Sequence, residues 1–189
     1  MRRKDYWIAA LFVIALAGFF YMEGEVKPSR ALDAARYEQA QQDPLTHDIH
    51  AALQQRGKYM GSVSTLTGLN QELPYRDLEY TYQLYPEKLT AQLHFKRPSD
   101  EVEQGFFRRM IMYNATANLG LVDNMEAMDF HFPDAVYSVQ RSQLMSWYGL
   151  HSHAELTEIE VWKAIVQEQV RRPDRVDAFY EQVVEISVP

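Results

Sequence analysis

The chain has 189 residues, a net charge of −7 and 47% hydrophobic residues, which is enough for one domain with a packed core. It contains no cysteine, which excludes disulfides, thiolate metal sites and a cysteine nucleophile. An acidic chain lacks the positive surface that attracts a phosphate backbone, so we expect no nucleic acid among its partners.

The N-terminal segment predicts a membrane anchor. Basic residues come first, and residues 7–22 carry no charge and have aromatic rings near both ends. The basic end of such a segment stays in the cytoplasm, and a span normally needs about 20 residues. We therefore predict a cytoplasmic stub over residues 1–5, a single transmembrane signal anchor over residues 6–22, and an extracytoplasmic C-terminal domain at the cell membrane.

The same N-terminal pattern leaves an alternative open. A basic start, an apolar run and small residues up to Ala17 are also typical of a signal peptide, so residues 1–17 could be cleaved. Both interpretations place the domain outside the cytoplasmic membrane. A buried core helix is a third interpretation.

Residues 23–42 are rich in alanine, glutamine and charged side chains, which favours a helical stalk or linker. The domain is predicted to begin at residue 43, with a helix that starts at Asp43 and Pro44. On that helix, His47 and His50 would both point to the polar side, so we interpret them as a solvated pair.

Two runs with a period of two follow, residues 78–84 and 89–95, and the short turn between them contains Pro86. This alternation predicts an antiparallel hairpin. Asp100 with Glu103 then predicts the start of a long helix over residues 100–122, whose broad apolar stripe should lie across the sheet.

Two more strands are predicted over residues 127–132 and 135–139, followed by a helix over 140–148. Helices alone are predicted beyond that point. The fold class is therefore α+β, with four mostly antiparallel strands packed under one long helix. We place the domain at residues 43–155 and a helical C-terminal extension at residues 156–189.

Several short strings resemble a known family. They are KYMGS at 58–62, YNATA at 113–117, LVDN at 121–124 and MDFHF at 128–132. Together they resemble DUF4825, a domain of unknown function in membrane-anchored or exported proteins of Gram-positive bacteria, over about residues 56–150. The resemblance implies an exported or anchored domain and supplies no activity. The chain departs from the family at Asn118 and Gly120, where bulky apolar residues are usual.

Four residues in or near these strings are candidates for special roles, and we interpret all four as structural rather than functional. Asp123 and Asn124 would close the long helix and shape the turn after it. Asn114 falls on the inward stripe, where its amide must be hydrogen-bonded. Arg141 follows a strand and is expected to form a structural ion pair with a carboxylate.

No catalytic, cofactor-binding or metal-binding residues are predicted. The sequence has no HExxH pair, no nucleophile elbow and no glycine-rich phosphate loop. His151 and His153 alternate in a loop, but two histidines without a third ligand do not make a metal site, and we interpret them as solvated.

These observations favour a non-catalytic binding, sensing or interaction module of the bacterial cell envelope. Its partner would be an envelope protein or peptide, and no cofactor is implied. The alternative is a cell-surface hydrolase that uses dispersed carboxylates such as Glu72, Asp123 or Glu126. A third possibility is a structural or assembly protein whose membrane helix itself makes contacts.

Overall fold

The computed structural model describes residues 3–22 and 27–188. The chain divides into two compact units, Met1–Ala40 and Gln41–Pro189. The N-terminal unit holds helix α1, Arg3–Tyr21, and nearly all of helix α2, Lys27–Gln41. Of the predicted stub and linker, residues 1–2 and 23–26 lie outside the described residues.

Helix α1 has exposed large apolar side chains wherever the structure describes them. The exposed ones are Trp7, Leu11, Phe12, Val13, Ile14, Leu16, Phe19, Phe20 and Tyr21. Within the part of the chain that the structure describes, no helix combines the length and the apolar character that a membrane crossing requires. The predicted transmembrane helix over residues 6–22 is therefore not supported by the structure.

The second unit alternates short helices with strands. Its first elements are α3 His50–Leu53, α4 Val63–Gln71, β1 Tyr80–Tyr85, β2 Thr90–Phe95 and α5 Gln104–Leu121. They are followed by β3 Ala127–His131, β4 Val136–Gln140 and α6 Arg141–Tyr148. The C-terminal part holds a 3-10 turn His153–Thr157, α7 Ile159–Val161, a π-helical turn Trp162–Gln167, α8 Glu168–Val170, α9 Pro173–Gln182 and β5 Val184–Ser187.

The strands form one mixed sheet in the order β1-β2-β3-β4-β5. All neighbours are antiparallel except β2 and β3, which are parallel. Because α5 connects β2 to β3, the chain returns to the same end of the sheet before β3 begins, as a parallel pair requires. The α+β class and the four predicted strands are confirmed, but the described residues form five strands.

Strand β5 corrects the prediction of a wholly helical C-terminal extension. It pairs with β4 in a register that places Val184 opposite Val139 and Ile186 opposite Tyr137. The apolar residues of this segment alternate over only a few positions. Such a short pattern does not distinguish a strand from the end of a helix until a neighbouring strand supplies hydrogen bonds.

Helix α5 begins later than predicted. Ser99–Glu101 forms a separate 3-10 turn, so the expected start at Asp100 is wrong. Glu103 is the N-cap, and its carboxylate accepts hydrogen bonds of 2.7 Å from the backbone amides of both Gly105 and Phe106. A carboxylate at this place satisfies free amides and complements the positive end of the helix dipole.

Helix α5 forms the centre of the core. Every residue from Met110 to Leu121 is buried. The helix contacts β3 of the sheet, and it also contacts α4, α8, α9 and the 3-10 turn His153–Thr157. A helix that is buried all round lies between two layers, so the C-terminal extension covers the side of α5 that the sheet leaves open.

Asn118 and Gly120, where the chain departs from the family pattern, both contribute to the packing of this core. The side-chain amides of Asn118 and Asn70 pair with each other through two hydrogen bonds of 2.8 and 2.9 Å. A Cβ atom at Gly120 would lie 2.8 Å from Cδ1 of Leu156. The missing side chain therefore lets the C-terminal extension pack directly on α5.

His47 is buried, so the predicted solvated histidine pair is wrong for this residue. Its side chain lies in the core with 2% exposure, whereas His50 is exposed. The segment before α3 is irregular, so the helical projection used for the prediction does not apply to it. His47 Nε2 lies 2.6 Å from the carbonyl of Glu72, and Nδ1 lies 2.8 Å from the hydroxyl of Tyr113.

Candidate functional site

Two of the sequence strings that resemble a family, residues 58–62 and 121–124, meet at the C-terminal end of α5. Residue Gly57 forms a parallel bridge with Val122, next to that end. Its amide donates to the carbonyl of Leu121, and its carbonyl accepts from the amide of Asp123, both at 2.9 Å. The loop before α4 is therefore attached to the end of α5 by main-chain hydrogen bonds.

Only glycine fits at position 57. A Cβ atom there would lie 2.3 Å from Cγ2 of Thr65 in α4, closer than any real contact of that kind. The close approach of the loop to α4 thus depends on the absence of a side chain.

Asn124 holds the next part of the same loop. Its Oδ1 accepts a hydrogen bond of 2.6 Å from the amide of Met60, whose own side chain is fully buried. Ser62 then caps α4 by accepting from the amide of Thr65 at 3.4 Å. Residues 56–62, which we call the motif loop, are held at Gly57, Met60 and Ser62 by these contacts.

The side chain of Arg141 stabilises the turn that follows α5. Its side chain is buried, and its guanidinium donates to the carbonyls of Val122 at 2.5 Å and Asp123 at 2.8 Å. Burial lowers the pKa of this guanidinium, while the charges of Glu126 and Asp123 act in the opposite direction. The geometry differs from the predicted pairing with a carboxylate, because the guanidinium binds main-chain carbonyls.

Asn114 lies apart from this turn, in the fully buried middle of α5. Its Nδ2 donates to the carbonyl of Pro74 at 3.2 Å, and its Oδ1 has no hydrogen-bond partner among the described residues. The structure therefore brings together three of the four candidates, Asp123, Asn124 and Arg141, and leaves Asn114 in the core.

A cleft of about 330 Å³ opens beside the motif loop, and we call it the motif cleft. It is lined by Arg56, Gly57, Lys58, Asp123, Ala154 and Thr157. A second cleft of about 420 Å³ shares Arg56 and Thr157 with it and continues past Glu158 and Glu160. The walls thus come from the motif loop, from the end of α5 and from the C-terminal extension.

Two cations at the motif cleft have no carboxylate partner in the part of the chain that the structure describes. Neither Arg56 nor Lys58 forms an ion pair with any described residue, although Lys58 Nζ lies 5.6 Å from the ring centroid of Tyr59. The Tyr59 side chain itself is 60% exposed. Tyrosine and arginine are the residue types that carry much of the binding energy at protein interfaces.

Asp123 has a histidine neighbour that the sequence did not indicate. Its Oδ1 lies 3.5 Å from Nε2 of His153, which is partly buried in the following turn. The other two carboxylates of the hydrolase hypothesis, Glu72 and Glu126, are exposed and do not line this cleft. The cleft can therefore bind charged or polar groups, and it places a carboxylate next to an imidazole.

Metal binding has no further support in the described part of the chain. No group of three or more histidine, cysteine, aspartate or glutamate residues within 3–22 and 27–188 is arranged to hold a metal ion. Two further histidines, His94 and His131, stack on adjacent strands with ring centroids 4.5 Å apart. They are at the open face of the sheet and not at the motif cleft.

Comparison with known proteins finds a family model that matches part of the chain. The sequence model of DUF4825, described as a domain of unknown function, matches residues 52–142. No curated protein and no solved structure matches the chain. The matched range contains all four strings that carried the resemblance, and it also contains Arg141. Residues 52–142 therefore match the family that the sequence strings resemble.

Proposed function

We propose that this protein is a non-catalytic interaction module of the bacterial cell envelope, and that the motif loop with its cleft binds a partner protein or peptide. The observation that carries the proposal is the placement of exposed Arg56, Lys58 and Tyr59 on a loop that Asp123 and Asn124 hold in position. A binding surface on a fixed loop loses little conformational entropy when a partner binds.

The charges at the motif cleft favour a partner segment that carries carboxylates. Arg56 and Lys58 have no carboxylate partner among the described residues, and a carboxylate from outside would pair with the Arg56 guanidinium through two parallel hydrogen bonds. Tyr59 would supply apolar contact area beside that pair. Its ring is exposed, and only a few side-chain torsions become restricted when a partner binds.

Photo-crosslinking in the native host tests this proposal. A photoreactive phenylalanine analogue at position 59 is expected to give a discrete covalent adduct with the partner. The matched control is position 37, because Tyr37 is also exposed, at 54%, but lies in α2. Failure to form an adduct at position 59, or the same adduct from both positions, would contradict the proposal.

The proposed location is the outer side of the cytoplasmic membrane. It is supported by the basic N-terminus, by the uncharged run of residues 7–22 and by the exposed apolar side chains of α1. Alkaline phosphatase, which is active only outside the cytoplasm, can be fused to the C-terminus of the full chain. We expect the alkaline phosphatase fusion to be active. If it is inactive, and a second fusion to a reporter that fluoresces only in the cytoplasm is fluorescent, the domain lies inside the cell.

A second candidate function rests on the contact between Asp123 and His153. A carboxylate can orient an imidazole that acts as a general base on water, which would make the motif cleft the site of a surface hydrolase. This candidate predicts that the purified full chain hydrolyses a component of cell-envelope extracts and that Asp123→Asn and His153→Gln each abolish the turnover. Unchanged turnover in both variants would remove it.

A further inference from the structure

The motif cleft is one end of a longer groove. The second cleft, of about 420 Å³, shares Arg56 and Thr157 with the motif cleft, so the two clefts are adjacent. Beyond the shared residues, its walls come from the end of α3 and from the start of the C-terminal extension, which contributes Glu158 and Glu160. We call the two clefts together the charged groove.

The charges of this groove are separated by sign. Lys58 lines the motif cleft, and Arg56 lines both clefts. Glu158 and Glu160 line the second cleft only. The motif cleft also contains the Asp123 carboxylate, which offsets one of its two cations. The groove therefore carries a net positive charge at the motif loop and a negative charge at the start of the C-terminal extension.

These opposite charges do not neutralise each other within the described protein. Arg56 and Glu158 line the same cleft, yet neither forms an ion pair with the other or with any described residue. Glu160 forms an ion pair of 3.5 Å with Lys163, three positions along the chain, and both side chains are exposed. Such an exposed pair contributes little, so a ligand that pairs with Glu160 loses little by displacing it.

A ligand that matches both ends of the groove carries a carboxylate and a cation. We propose that the charged groove binds an extended peptide segment of the partner in which an acidic and a basic residue lie close together in sequence. The acidic side chain pairs with Arg56 or Lys58, and the basic side chain pairs with Glu158 and Glu160. This inference rests on the proposed function and adds the negative half of the site to it.

The negative half makes the groove selective. A segment with acidic residues alone would pair with Arg56 but would bring like charges against Glu158 and Glu160, and such repulsion rejects wrong partners. Between the charges, the second cleft has apolar surface from Leu53 and from half-buried Ile159. A peptide has side chains for that surface, whereas a zwitterionic lipid head group holds its two charges only a few bonds apart. The lipid is the competing occupant.

Photo-crosslinking from the second cleft tests the negative half by itself. Gln54 is exposed and lines the second cleft but not the motif cleft. The photoreactive phenylalanine analogue at position 54 of the full chain, in the native host, is expected to capture the same partner as at position 59. Mass spectrometry should map both adducts to one segment, with its acidic residue nearer the site joined to position 59 and its basic residue nearer the site joined to position 54.

Removing the negative charge should weaken this capture. Glu158→Gln together with Glu160→Gln keeps the size of both side chains and should lower the adduct yield at position 54 by about fivefold. The matched control is Glu87→Gln together with Glu181→Gln, at two exposed carboxylates outside both clefts, and it should keep the wild-type yield.

Four outcomes would overturn the inference. They are an adduct at position 59 with none at position 54, a captured segment without a basic residue, equal yields in the two double variants, and an adduct with a lipid or with a second copy of this chain. The first outcome leaves the proposed function intact. Absence of adducts at both positions removes the proposed function and this inference together.

Discussion

The middle and the C-terminal end of α5 carry similar polar residues that have different structural roles. In the middle, Asn114 and Asn118 lie fully buried, and their amides bond to other parts of the core. At the end, Asp123 and Asn124 hold a surface loop whose own cations stay free of carboxylate partners among the described residues. The comparison teaches that residue type alone does not separate a structural polar group from a binding one, because burial decides which partners are available.

The largest effect on stability is expected at the support of the turn. Arg141→Ala removes a buried guanidinium and leaves the carbonyls of Val122 and Asp123 without their donor. We expect the free energy of unfolding in urea to fall by about 3 kcal/mol. The matched control, Arg97→Ala, breaks an exposed ion pair with Asp77 and should cost less than about 1 kcal/mol. Equal losses in the two variants would show that the turn does not depend on Arg141.

The amide pair in the middle of α5 should give the next largest effect. Asn118→Leu leaves the buried amide of Asn70 without two of its bonds, so we expect a loss of about 2 kcal/mol in the free energy of unfolding. Asn70→Leu together with Asn118→Leu should cost less than the sum of the single changes. Losses that simply add would mean that the two amides do not interact, contrary to the geometry.

The buried histidine predicts how stability depends on pH. Burial lowers the pKa of His47, although the Glu72 carbonyl and the Asp48 charge act in the opposite direction. The unfolded chain therefore binds a proton at His47 before the folded chain does, so stability rises with pH. The contribution is fully present above the ordinary imidazole pKa of about 6.5 and is lost as the pH falls below it.

Urea unfolding at a series of pH values measures this dependence. His47→Gln should be less stable at neutral pH and should flatten the slope between acidic and neutral pH. His151→Gln, at an exposed histidine whose side chain forms no ion pair with a described residue, should keep the wild-type slope. A wild-type slope in the His47→Gln variant would assign the pH dependence to other groups.

The smallest effect on stability is expected on the motif loop itself. Arg56, Lys58 and Tyr59 are exposed, so changing each to alanine should alter the free energy of unfolding by no more than about 0.5 kcal/mol. The same variants should reduce formation of the crosslinked complex if the photoreactive residue is moved to exposed Val63. If these variants unfold the protein, the three side chains stabilise the fold and are not a free binding surface.

Local sequence patterns were sufficient for much of the fold. The alternation over residues 78–95 predicted the hairpin of β1 and β2, and the broad apolar stripe predicted α5, although its first turn was placed too early. The strings at 58–62 and 121–124 led to the family whose model matches residues 52–142. These features could be recognised because a hairpin, a helix and a motif each occupy neighbouring positions along the chain.

Tertiary structure alone decided the rest. The buried side chain of His47 is hydrogen-bonded to Tyr113, which is 66 positions away in the chain. The motif cleft forms only when Gly57, Asp123 and Thr157 come together. Strand β5 forms because β4 supplies hydrogen-bond partners for it. The guanidinium of Arg141 binds main-chain carbonyls, whereas the sequence suggested an ion pair with a carboxylate. A periodic pattern reports which face of an element is apolar. It contains no information about which distant group will fill the space on that face, and that choice is made only when the whole core packs.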